Sequence, residues 1–133
     1  MLLVDHYVAK SDIHGLGVFS AEVVVAGREI WVFNEFIDRE IPEERVQDLP
    51  NHVRNRIYTH AWHRAELKCF WLSADGDYFM NHSNTPTLQL REHCLVASRN
   101  IKVGDELTCD YRVVKVAAYD PLTMWKEISA GDV

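Results

Sequence analysis

The apolar stretches of this chain are short, and each has the length of a single strand rather than of a membrane-spanning helix. Near the start, "HYVAK", "GVFSAEVVV" and "REIWVF" predict strands that are bounded by glycine turns. In the second half, "CFWLS" and "ELTCDY" predict two more strands, and "TLQL" with "CLVAS" predicts a hairpin. Nothing in this alternation repeats as a βαβ unit. We therefore expect a mostly β, β-rich α+β fold of small antiparallel sheets.

The middle of the chain has a helical pattern. Pro42 and the two acidic residues after it are typical of a first helical turn, and Pro50 is expected to interrupt this helix and open another. Val53, Ile57 and Ala61 then recur at the i, i+4, i+8 spacing of an apolar helical stripe. The sequence thus predicts a single domain over residues 1–133, with a helical insert over about 42–66 and a short helix at "DPLTMWKEI" in the tail.

Charge and cysteine content limit the function. The 133 residues include 14 basic and 20 acidic ones, and this net charge of −6 disfavours direct nucleic-acid binding and favours basic peptide partners. The 3 cysteines, Cys69, Cys94 and Cys109, have no CxxC spacing, which indicates a reducing compartment and argues against disulfides and structural zinc. The start lacks the pattern of a signal peptide. We expect a cytoplasmic protein without a membrane partner; a nuclear or host-directed location is left open.

Three local motifs carry little chemistry when each is taken alone. The glycines of "HGLGVF" are typical of a tight hairpin, because the third glycine of a dinucleotide fingerprint is missing. His60 and His63 lack a third ligand for a metal, which favours surface or interface histidines. A nucleophile pair of Cys69 and His82 would lack an activating elbow or an oxyanion loop.

Together, three segments indicate a family. "HGLGVF", "YFMNHSNTP" and "GDELTCDY" occur in this order at suitable spacing, and in the second an Asn–His pair directly follows the apolar residues Phe79 and Met80. The chain resembles the SET-domain family of protein-lysine methyltransferases, especially its short, free-standing bacterial and viral members. The resemblance covers about residues 6–112 as the core, with a tail over 113–133. It implies a β-clip architecture in which a knot-like threading of the C-terminal strand brings "NHS" beside the segment ending in Tyr111.

The resemblance implies S-adenosylmethionine as the cofactor. The glycine turn that lies against its methionine part in the family matches Gly15, Leu16 and Gly17, where missing Cβ atoms let the backbone approach a ligand. The Asn–His pair of the family matches Asn81 and His82. In the family, the Asn side chain and the His backbone hold amino and adenine groups of the cofactor. Phe79 and Met80 would anchor this pair in the core, and no zinc is implied, because Asn84 stands where many members have cysteine.

The resemblance also implies a channel for a substrate lysine. Tyr111 matches the catalytic tyrosine, and Tyr58 matches a second tyrosine of the insert, with a place on a helix face or in the core as the alternative. Cys109 stands where the family residue gates the number of methyl groups, and its small size predicts di- or trimethylation unless Leu90 fills the space. Trp125 is expected either to complete the channel or to pack the tail helix.

The implied activity is methyl transfer to a lysine of a protein substrate, with a SET module that binds a partner or cofactor without turnover as the alternative. The lysine must arrive uncharged, and burial among aromatic residues lowers its pKa in that direction. Asp110, beside the matched tyrosine, is expected to be structural rather than a base. The partner is expected to present an exposed lysine in a basic segment, and a homodimer is left open.

Overall fold

The computed structural model describes residues 1–114 and 116–117. It contains ten strands, two short α-helices and two 3₁₀ turns in this range. The helices are α1 (Glu43–Val46) and α2 (Asn51–His60), and the 3₁₀ turns are Ala65–Leu67 and Gly76–Phe79. The strands are β1 (His6–Lys10), β2 (Leu16–Ser20), β3 (Glu29–Trp31), β4 (Arg39–Pro42), β5 (Trp62–Arg64), β6 (Cys69–Leu72), β7 (Asn81–His82), β8 (Leu88–Arg91), β9 (Cys94–Ala97) and β10 (Glu106–Cys109).

The strands form three small sheets among the described residues, with orders β1-β2-β10-β7, β3-β9-β8 and β4-β6-β5. The predicted hairpin is β8–β9, and its turn places Glu92 at a positive φ of 56°. All strand pairs are antiparallel except β7–β10. The β-rich α+β class predicted from the sequence is therefore confirmed.

Strand β10 joins the distant parts of the first sheet. It pairs antiparallel with β2, where Leu107 lies opposite Val18, and parallel with β7, where Cys109 lies opposite His82. Both Leu107 and Val18 are completely buried in the main core cluster. The segment that ends at residue 111 thus lies beside "NHS", which is the neighbourhood expected from the threading.

The insert is shorter in helix than the pattern predicts. Pro50 does separate α1 from α2, and Ile57 and Ala61 are buried in a second core cluster with Val46 and Phe70. However, α2 ends at His60, because Ala61 turns to an extended conformation with φ −83° and ψ 150°. Residues 62–64 then form β5, which pairs with β6, so the predicted helical range of 42–66 is wrong beyond residue 60.

The tail prediction lies mostly outside the described residues, including "DPLTMWKEI" and Trp125. The cysteines Cys69, Cys94 and Cys109 are free thiols. No helix within the described part of the chain is long and apolar enough to cross a bilayer.

Candidate functional site

The turn before β2 brings its backbone close to strand β10. Ser11 N–H donates to the carbonyl of Gly15 at 2.8 Å, which closes the turn, and Gly15 adopts a positive φ of 46° that suits glycine. Gly17 has no room for a side chain, because a Cβ there would lie 2.7 Å from Oε2 of Glu106. Leu16, between the glycines, is 48% exposed. One side of the turn is therefore packed against Glu106, and the side that carries Leu16 is accessible to solvent.

Asn81 ties this turn to β10. The residue is 5% exposed, and four oxygens surround its side-chain nitrogen. Those oxygens are Oε2 of Glu106 at 2.9 Å, the His14 carbonyl at 3.0 Å, Oγ of Ser11 at 3.1 Å and the Leu16 carbonyl at 3.2 Å. An amide nitrogen carries two hydrogens, so it cannot serve four acceptors at once. The cluster around Asn81 is therefore rich in acceptors and suits a cationic amine.

His82 positions the chain after β10. Its Nδ1 accepts the backbone N–H of Tyr111 at 3.1 Å, so the neutral ring carries its proton on Nε2. Nε2 then donates a hydrogen bond to Oδ1 of Asn84 at 3.0 Å. Asn84 stands where many family members have cysteine, and its hydrogen bond fixes the orientation of the His82 ring.

Tyr111 is held at both ends. Its backbone is fixed by His82, and its hydroxyl donates a short hydrogen bond to the carbonyl of Met80. The Tyr111 ring lies 5.5 Å from the His82 ring between centroids. Met80 is buried, whereas Phe79 is only half-buried, so Met80 rather than Phe79 is the main anchor of this segment.

A small cavity of about 40 Å³, partly open to solvent, has Tyr111 and Cys109 in its wall. Most of its wall is aromatic or apolar, and its polar residues lie near the 3₁₀ turn of residues 76–79. The lining residues are Trp31, His60, Trp62, Trp71, Ser73, Asp77, Tyr78, Met80, Leu95, Cys109, Tyr111, Val114 and Val116.

Two predicted channel residues do not line this cavity. Tyr58 packs against the second core cluster, with its ring 5.8 Å from that of Phe70, and its hydroxyl accepts from Nε2 of Gln47 at 3.2 Å. Its loose match to the family tyrosine is therefore corrected to the alternative of a helix-face aromatic. Leu90 packs against the main core cluster, which includes Cys109, and is not among the described residues that line the cavity.

Sequence reasoning missed the tryptophans of the cavity. Trp31, Trp62 and Trp71 come from β3, β5 and β6, and their ring centroids lie 5.4–6.3 Å apart. The sequence holds 4 tryptophans, and the resemblance indicates a channel position only for Trp125. Trp31 and Trp71 lie in apolar strand patterns and Trp62 in the predicted helical insert, where a core position explains each of them equally well. The sequence therefore offers no signal that separates cavity from core.

The buried thiols of Cys69 and Cys109 are poor nucleophiles. Burial and the nearby carboxylates of Asp77 and Asp110 raise the pKa of Cys109 well above its usual range. Burial and the hydrogen bond to Glu40 raise the pKa of Cys69 to about 11, so this thiol stays protonated at neutral pH. The geometry gives no support to a Cys69–His82 nucleophile pair.

Asp110 is engaged in an ion pair. Both of its carboxylate oxygens accept from the guanidinium of Arg112, at 2.9 and 2.8 Å. Its hydrogen bond to Arg112 lowers the pKa of Asp110. This pairing fits the expected structural role better than that of a base. No group of three His, Cys, Asp or Glu side chains in residues 1–114 and 116–117 is arranged to hold a metal.

Comparisons with known proteins agree with this geometry. The SET domain profile matches residues 15–112. The fold is similar to a Plasmodium falciparum protein provisionally assigned as a histone methyltransferase, with a TM-score of 0.58 and 22% identity over 83% of this chain and 95% of that one. It is also similar to Polycomb Repressive Complex 2 of Chaetomium thermophilum, with a TM-score of 0.62 and 19% identity over 81% of this chain.

Another structure of that complex, in an autoinhibited conformation bound to S-adenosylmethionine, gives a TM-score of 0.61 and 18% identity over 81% of this chain. The chain spans only 16% and 15% of the matched chains in these two Polycomb structures. At these identities the likeness is one of fold. No curated protein matches the chain in sequence.

Proposed function

The chain belongs to the SET-domain family, and we propose that it transfers methyl groups from S-adenosylmethionine to a lysine side chain of a protein substrate. One observation carries the proposal: the acceptor cluster around Asn81 and the aromatic cavity adjoin each other. Met80 lines the cavity, and the next residue, Asn81, lies in the cluster. A cofactor held at the cluster and a side chain inserted in the cavity could therefore meet near Met80 and Tyr111.

The residues around Asn81 fit the amino-acid end of S-adenosylmethionine. That end carries a cationic amine, and the surplus of acceptors around the amide offers it hydrogen bonds, with the Glu106 carboxylate as a charge partner. The backbone of Gly15 and Gly17 has no Cβ atom to keep a ligand away. When bound, the cofactor supplies a methyl group on a sulfonium sulfur.

The aromatic cavity suits the long side chain of lysine. Aromatic faces stabilise a cation that sheds water, and exclusion of water lowers the pKa of an ammonium towards the uncharged amine that the reaction requires. Because both ends of Tyr111 are fixed, its hydroxyl and the Met80 carbonyl can orient a methyl group through weak C–H···O contacts. Holding the two reactants in line then supplies much of the rate.

A groove next to the cavity supports a basic substrate segment. The groove shares Trp71 with the cavity, and its charged lining residues are Glu35, Asp38, Arg39 and Glu40. Asp38 is buried and paired with the amino group of Met1, and the carboxylates of Glu35 and Glu40 still outnumber the arginine, in agreement with the net charge of −6 for the whole chain. Residues that flank the target lysine are therefore expected to be basic.

The test is incubation of the purified protein with methyl-labelled S-adenosylmethionine and a mixed protein extract. Reproducible label on lysine, identified by mass spectrometry and lost in Tyr111→Phe, would support the proposal. Calorimetric binding of the cofactor without any label on lysine would instead support a SET module that binds without turnover. Absence of both would contradict the proposed function.

A further inference from the structure

One carboxylate lies inside the aromatic cavity. Asp77 belongs to the 3₁₀ turn of residues 76–79 and is the one acidic residue among the described residues that line the cavity. Ser73, which also lines it, donates a short hydrogen bond to Oδ2 of Asp77. A carboxylate in an apolar cavity is costly unless it has a partner, so its presence calls for a cation or a proton.

The surroundings of Asp77 favour proton uptake near neutral pH. Burial raises the pKa of Asp77 to about 6, although the residue remains partly accessible through the cavity. The Ser73 hydroxyl and the amino group of Met1 lower this pKa, whereas the carboxylates of Asp75 and Asp38 raise it. Such a carboxyl is ionised at pH 7 and still able to take a proton.

No other described group that lines the cavity offers a negative charge to an ammonium ion at pH 7. Burial lowers the pKa of His60 and raises that of Tyr78, so His60 is mostly uncharged at pH 7 and Tyr78 keeps its proton. Burial raises the pKa of the Cys109 thiol, and the Asp77 carboxylate, which lines the same cavity, adds to that rise. Tyr111 uses its hydroxyl hydrogen on the Met80 carbonyl.

We propose that Asp77 receives the ammonium group of the substrate lysine inside the cavity and accepts one of its protons before methyl transfer. The inference rests on the proposed function, because it assigns a residue to the same site. Asp77 thereby becomes a catalytic residue of the cavity in addition to Tyr111.

The step balances as a simple proton transfer. One N–H bond of the ammonium breaks, an O–H bond forms on Asp77, and the nitrogen keeps the electron pair as the lone pair of a neutral amine. A cavity of low dielectric solvates an ion pair less well than water does. The equilibrium in the cavity therefore moves towards the neutral amine and the neutral acid. The carboxyl then releases its proton to solvent through the open side of the cavity, which restores the carboxylate for the next turnover.

The first arm of the test measures cation binding without turnover. n-Butylammonium is the probe, as a lysine side chain without a peptide, and n-butanol is the uncharged control. We expect the ammonium, but not the alcohol, to bind the wild type and Asp48→Asn in an NMR titration, and to bind Asp77→Asn at least tenfold more weakly. Asp48 is the matched control because it is an exposed carboxylate that does not line the cavity. Equal affinity for the wild type and Asp77→Asn, or no binding to either, would overturn the proposal.

The second arm measures kcat/KM against pH on a protein labelled in the extract. Asp77→Asn is expected to lose about a hundredfold in rate at pH 7, within the usual range for an acid–base group, and to recover as rising pH frees the amine in solution. Ser73→Ala should move the acid limb to higher pH, and Asp75→Asn should move it to lower pH, because the two residues shift the pKa of Asp77 in opposite directions. A merely structural role would not produce these opposite shifts.

The two arms separate the inference from the function on which it rests. Ammonium binding that depends on Asp77, without methylation of any lysine, would refute the proposed function and the proton step but keep the cation site. Methylation with the same rate and pH profile in Asp77→Asn would keep the function and refute the inference.

Discussion

The backbone N–H of Tyr111 donates to Nδ1 of His82 at 3.1 Å, so the tyrosine at the end of the cavity is aimed by the histidine of "NHS". Tyr111 and His82 are 29 residues apart in sequence, and their neighbours Cys109 and His82 are paired in the parallel β7–β10 ladder. The relationship explains why an Asn–His pair at the edge of the core serves two purposes. Asn81 lies in the acceptor cluster, while the His82 ring accepts the backbone N–H of Tyr111, the proposed catalytic residue.

His82→Ala is expected to displace Tyr111. The substitution leaves the Tyr111 N–H and Asn84 without their partner, which should cost about 1–3 kcal/mol of unfolding free energy and lower kcat. Urea unfolding and a labelling assay measure the two effects. His52→Ala, an exposed histidine on α2, is the matched control and should change neither. A His82→Ala variant with unchanged kcat would show that the tyrosine is held by other contacts.

Asn81→Ala is expected to abolish cofactor binding. The side chain lies among the oxygens of the glycine turn and Glu106, so its removal leaves a cluster of acceptors without their common donor. In addition to the loss of affinity, we expect the free energy of unfolding to fall by about 1–3 kcal/mol, because the amide is buried. Calorimetric titration with S-adenosylmethionine tests this, with the exposed Asn55→Ala as control. Unchanged affinity together with an unchanged melting curve would reject the assignment.

Tyr111→Phe is expected to reduce turnover far more than cofactor affinity. Only the hydroxyl is lost, and it is proposed to act on the methyl group in transit rather than on the bound ground state. The comparison is between kcat on a labelled protein and the calorimetric Kd of the cofactor. Tyr58→Phe is the control, because that hydroxyl meets Gln47 and lies away from the cavity lining. Near wild-type turnover in Tyr111→Phe would show that Tyr111 only lines the cavity and takes no part in methyl transfer.

Cys109→Tyr is expected to lower the number of methyl groups added. Cys109 lines the cavity with a small, weakly polar side chain, and Leu90 is not among the described residues of that lining. The wild type should therefore reach di- or trimethylated lysine, and the tyrosine variant should accumulate monomethylated product. Intact-mass analysis over time, with excess cofactor, gives the distribution. A wild type that stalls at one methyl group would contradict the prediction.

Asp77→Asn is expected to raise stability at alkaline pH. The folded-state pKa of about 6 lies above the ordinary value of 3.8, so Asp77 contributes stability below pH 3.8 that is lost as the pH rises through 6. Removing the charge should therefore stabilise the protein by about 3 kcal/mol at pH 8 and have little effect near pH 4. Thermal unfolding at both values checks the sign. A pH-independent change would mean that the carboxyl is not buried in the folded state.

Local sequence patterns predicted most of the strands and the glycine turn because period-2 alternation and turn residues act within a few residues. They failed at Trp62–Arg64, where no proline or glycine marks the end of α2 and the strand exists only by pairing with β6. The family resemblance located Asn81, His82 and Tyr111, but it could not locate Asp77. That carboxylate reaches the cavity through the 3₁₀ turn around it, and neither its residue type nor its spacing indicates this.

The long-range contacts of Glu106 have a consequence for synthesis on the ribosome. This residue bonds to Ser11 across 95 positions and to Asn81 across 25, and it lies directly under Gly17. A nascent chain that has not yet exposed Glu106 therefore has the glycine turn and the "NHS" segment, which Asn81 can join, but it lacks strand β10 and the carboxylate that both segments contact. Closing such long loops is slow compared with forming local hairpins. The binding site is thus expected to arise late and all at once, so a growing polypeptide would engage its small-molecule ligand only after nearly all of the described fold has emerged.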